Sequence, residues 1–114
     1  MMAEVKFDVL GAEYTLLITS ESMEPRLAGI SGFCDKTTRR IVVAGKDEDC
    51  DLEDFDVYLC KVIRHEVIHA FLFESGLHEN FTHPQFGHDE LYVDWIAAQW
   101  PKMQVVFEKL GVAR

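Results

Sequence analysis

A chain of 114 residues is long enough for one domain with a modest core and too short for two, so residues 1–114 are read as a single domain. Its 48% hydrophobic and 27% charged residues are ordinary for a globular protein in water, and no apolar run approaches a membrane span. The net charge of −9 argues against a nucleic-acid partner, because phosphate contacts need clustered Lys and Arg.

The N-terminus Met1-Met2-Ala3-Glu4-Val5-Lys6 lacks a basic region followed by an apolar one, so a cytoplasmic location is expected. Three scattered cysteines, Cys34, Cys50 and Cys60, fit reduced thiols and not a disulfide framework.

Residues 4–10 alternate, with Val5, Phe7 and Val9 on one face and Glu4, Lys6 and Asp8 on the other, the pattern of a half-buried strand. A turn at Gly11-Ala12 leads to a second strand, residues 14–19, with Tyr14, Leu16 and Ile18 on one side. Residues 20–27 are polar, contain Pro25, and suit a connection or a short helical turn. Residues 29–34 and 40–44 read as two more strands joined by a turn at 35–38, with Arg39-Arg40 a solvated flank. The expectation is three or four antiparallel strands before any long helix.

A helix is predicted from about residue 51 or 52 to 75, with acidic residues at its positive end and Gly76 as its stop. Residues 77–87 read as a loop. A last helix is predicted from about 88 to 100 with Leu91, Trp95 and Ala98 on a shared face, then a kink or restart at Pro101 and helix again to 110. Core packing is the expected use of Trp95, Trp100 and Phe71, and Cys60 is read as a small buried apolar side chain. The fold class is therefore α+β: a small N-terminal antiparallel sheet packed on one long helix and a C-terminal helix.

The first helix carries His65-Glu66-Val67-Ile68-His69. Histidines four apart lie about 40° apart around a helix and about 6 Å along it, so both imidazoles reach one metal ion. Glu66, one step round, is placed to take a proton from a water on that metal, the role of a catalytic general base. A third ligand is sought among His78, His83, His88, Asp89, Glu90 and Asp94. Glu90 is preferred, because it stands on the next helix and Asp94, four residues on, shares its face and can hold a histidine's other nitrogen. His78, His83 and His88 remain candidates for an oxyanion donor or an alternative ligand.

His65-Glu66-x-x-His69 followed by Glu90-x-x-x-Asp94 resembles the gluzincin branch of the zincin metallopeptidases. The resemblance implies zinc held by His65, His69 and Glu90, Glu66 as general base, Asp94 orienting the first histidine, and an edge strand lining the cleft. The metzincin branch is disfavoured, since Leu72 and Ser75 stand where that pattern has Gly and His. The run from Arg64 to Leu77 is also similar to small phage and prophage proteins with a zincin-like core, and residues 90–101 to the third-ligand helix of bacterial proteases that cleave phage-type repressors. The expected function is zinc-dependent hydrolysis of a restricted protein or peptide substrate in a bacterial cytoplasm. The competing expectation is a non-catalytic protein in which zinc staples the small fold and the surface binds another protein.

Overall fold

The structure, a computed structural model, describes residues 3–77, 89–110 and 112–113. Strands β1 (Ala3–Val9) and β2 (Ala12–Thr19) form an antiparallel hairpin with Phe7 opposite Tyr14 and Val9 opposite Ala12. Leu10 and Gly11, both at positive φ, make its turn, and the Gly11 amide donates to Asp8. Two such residues in succession match the right-handed twist of a hairpin. The turn therefore falls one residue earlier than Gly11-Ala12.

After a short 3-10 turn (Pro25–Leu27), β3 (Gly32–Asp35) and β4 (Arg40–Ala44) form a second antiparallel hairpin. The sheet order is β1-β2-β4-β3, and β2 pairs with β4 in parallel, Leu17 opposite Val42. The sheet is thus mixed and not purely antiparallel. Residues 20–31 carry the chain past the β4 position to the far edge, and the return hairpin places β4 alongside β2 in the same direction. Neither arginine of the expected solvated flank is free: Arg39 pairs with Glu74 and Arg40 with Glu24.

Alternation decides which face of the sheet receives the helix. Val9, Tyr14, Ile41 and Val43 form one buried cluster with Val62 and Ala70 of α1 (Phe55–Ser75). Asp54 caps the α1 N-terminus by accepting from the Val57 amide, and Gly76 ends the helix in the left-handed conformation. The Tyr14 hydroxyl donates to Glu74 at 2.8 Å, pinning the last turn of α1 to the sheet.

Helix α2 (Glu90–Lys109) begins at Asp89, whose carboxylate accepts from the Leu91 and Tyr92 amides. It runs unbroken through Pro101. Its buried residues are Val93 and Ala97, whereas Leu91 and Trp95 are exposed, so the core face is not the Leu91-Trp95-Ala98 stripe. The helix presents its acidic Glu90-Asp94 line to α1, which turns those larger side chains outward. Trp100, Phe71 and Cys60 are exposed as well, contrary to the expected core packing. The class is α+β, a four-stranded mixed sheet with two long helices, and no helix among the described residues is long and apolar enough to cross a membrane.

Candidate metal centre

Antiparallel packing of α2 on α1 brings Glu90 to His69 and Asp94 to Lys61. His65 lies between the two acids. Its Nε2 is 3.0 Å from one Glu90 oxygen, and His69 Nε2 is 2.9 Å from the other. The ligand atoms of His65, His69 and Glu90 lie within 4.8 Å of one another. The Nδ1 of His65 faces Asp94 at 3.2 Å.

The tautomer of His65 decides which of these contacts donates. A neutral imidazole has one N–H, and an N–H at Nδ1 donating to Asp94 leaves the Nε2 lone pair aimed at the Glu90 carboxylate. With Nε2 of both rings unprotonated, two lone pairs and a carboxylate would converge on one point, and a divalent cation between them would turn that repulsion into attraction. Two nitrogens and one oxygen also suit zinc, and among the described residues no fourth ligand joins them. The residues present therefore fit a zinc ion.

Electrostatics around the point agree with this. Burial pushes His69 below the ordinary imidazole value, against the opposing pull of Glu90, which favours the neutral, ligating form. Burial disfavours charge on Asp94 too, but the bonds from His65 and Lys61 prevail and hold its carboxyl below the ordinary value. Glu66 is buried and makes no part of the ligand cluster. Burial raises it to about 7, with His65 opposing and Glu90 adding to the rise. A carboxyl poised there exchanges a proton readily near neutrality.

The ligands open onto a cleft of about 600 Å³ whose walls are α1, α2 and β3. Glu90 is 70% exposed at its mouth, so the point is reachable from solvent. No protein-family profile, curated protein or solved structure matches this chain.

The structure brings together His65, Glu66, His69, Glu90 and Asp94. His78, His83 and His88, the candidate oxyanion donors or alternative ligands, lie outside the described residues. Asp89 serves as the cap of α2. Sequence reasoning overlooked four cleft residues: Ser31 and Cys34 next to or on β3, and Tyr58 and Lys61 on α1. Tyr58 and Lys61 precede His65 by two turns and one turn, a spacing that places them on the histidine face and was legible. Ser31, hydrogen-bonded to Tyr58, and Cys34 carried no such signal, because their nearness depends on strand order.

Proposed function

We propose that this protein is a zinc-dependent metallopeptidase that takes an extended peptide segment along β3. The observation carrying this reading is the convergence of His65, His69 and Glu90 within 4.8 Å at a cleft that also holds the buried acid Glu66. β3 supports it as the edge strand of the sheet, bonded among the described residues only to β4. An extended chain added to such an edge takes its affinity from main-chain hydrogen bonds. A cleft of about 600 Å³ in a domain this small fits a restricted substrate.

His65, His69 and Glu90 would hold the metal, which when bound supplies Lewis-acid polarisation of a carbonyl and of a water. Asp94 keeps the His65 proton on Nδ1 and its Nε2 free to ligate. Glu66 takes the proton of the attacking water and returns it to the departing amine. The wall of β3 orients the peptide and excludes bulk water from one side.

Zinc content per chain, measured on protein without a histidine tag, tests the site. One zinc is expected in the wild type, none in His69→Ala and less in Glu90→Ala, and a wild type that stays metal-free when zinc is supplied would overturn the reading. Glu66→Gln should retain zinc and lose hydrolysis of a mixed fluorogenic peptide library by at least about 100-fold. Undiminished turnover in that variant would remove Glu66 from the chemistry.

A further inference from the structure

The candidate centre is divided, with His65, Glu66 and His69 on α1 and Glu90 and Asp94 on α2, so its geometry depends on how far one helix has slid along the other. Glu90 and Asp94 are four residues apart on one line of α2, and both are acids. A slip of one turn, about 5.4 Å, would set Asp94 where Glu90 now stands. Contacts between carboxylates and imidazoles alone discriminate poorly between these registers.

The partly exposed Lys61–Asp94 pair would be lost in that slip, since Ala98 would take the place of Asp94, and a more deeply placed bond discriminates as well. Arg64, the residue before His65, donates from Nε to the Ala97 carbonyl at 2.7 Å. A carbonyl inside a helix is ordinarily taken by the amide four residues on, but that residue is Pro101, which has no N–H and whose ring pushes the Ala97 carbonyl aside. Ala97 is fully buried, so water is a poor substitute. Proline thus leaves one free acceptor in the interior of α2, and Arg64 can reach it in one register only. Ala97 follows Glu90 by seven residues, two turns, and so lies nearly on the same line of the helix.

We infer that Arg64 and Pro101 form a register lock that places Glu90, and not Asp94, opposite His69. Arg64 is a positioning residue, acting on the centre through the seating of α2. The lock's functional meaning rests on the metal-centre reading, while the register itself exists with or without metal.

The test uses the full chain as wild type, Arg64→Met, Arg64→Lys, Pro101→Ala and the double variant Arg64→Met with Pro101→Ala. Zinc affinity should fall by at least about tenfold in Arg64→Met and recover in part in Arg64→Lys, which restores a donor. In the double variant residue 101 regains its amide and satisfies Ala97, so the melting temperature should recover while zinc affinity stays low. That separation is what a merely structural arginine would not give. Unchanged affinity in Arg64→Met, or recovery of both quantities in the double variant, would overturn the lock. NMR contacts from the His69 ring to residue 90, read without metal, should be present in wild type and be shared with residue 94 in the double variant. A wild type that binds no zinc would defeat the metal-centre reading, and these contacts would still decide the register.

Discussion

Asp94 accepts from His65 and also sits 3.4 Å from the Lys61 ammonium, so its carboxylate has two reasons to stay where it is. Asp94→Ala should weaken zinc binding by about 10- to 100-fold in a competition titration while leaving the fold intact. Tyr14, fully buried, shows a different kind of dependence. Burial and then the Glu74 carboxylate raise its phenol far above the ordinary value, so it remains a donor at any physiological pH. Tyr14→Phe should cost about 1–2 kcal/mol in a denaturant melt, since the hydroxyl bonds a charged acceptor that retains Arg39 as a second partner. Cys34 makes a pH prediction. Burial, reinforced by Glu66, pushes its thiol up to about 12. The folded chain therefore holds this proton more tightly than the unfolded one, and the associated stability, whole below about pH 8.5, is lost as pH rises toward 12. At pH 8 iodoacetamide should label exposed Cys60 and spare Cys34, as peptide mass mapping would reveal.

Among the elements, β3 is the one whose place depends on a missing side chain. A Cβ at Gly32 would stand 2.9 Å from Val43 Cγ1 and 3.0 Å from the Val42 carbonyl oxygen, with Val62 of α1 next at 3.4 Å. Gly32→Val should destabilise the protein by about 1–3 kcal/mol through overpacking. It should leave zinc stoichiometry unchanged, because His65, His69 and Glu90 are all on helices, yet reduce peptide hydrolysis if β3 seats the substrate. Loss of zinc in that variant would mean the strand supports the ligands instead. The elements also mark where the sequence was readable. Period two named the faces of β1 and β2, and the spacing of His65, His69, Glu90 and Asp94 named a site on two helices. Alternation tells which way a side chain points but not which strand is its neighbour, so the parallel β2–β4 pair was not legible. α2 passes Pro101 without the restart that the sequence suggested, and the carbonyl that the proline deprives of its usual donor is taken by a side chain 37 positions earlier in the chain, Arg64. The outward Trp95 and Leu91 were misread because large apolar residues at helical spacing resemble a core stripe, whereas the packed face is set by small Ala97 beside the acids.

For the whole molecule, a metal that binds only the folded state adds to its stability by mass action. Free zinc at a hundred times its dissociation constant contributes about 2.7 kcal/mol, which for a domain near this size raises the melting temperature by roughly 10–20 °C. Calorimetry with zinc and with chelator should show that difference, and equal midpoints would count against a folded-state site. The centre joins residues 25 positions apart across two elements, so it is complete only when the tertiary structure is.

The uneven seating of the two helices has a consequence for motion. α1 contributes Val62 and Ala70 to the buried cluster beneath the sheet, whereas α2 buries only Val93 and Ala97 and contributes none to that cluster. Partial opening should therefore detach α2 first, with the sheet and α1 still folded. Amides of α2 should exchange with deuterium ahead of those of α1 in chelator and become slow when zinc is added. The third ligand would then be carried by the part of the protein that leaves most easily, and metal release would follow the undocking of one helix.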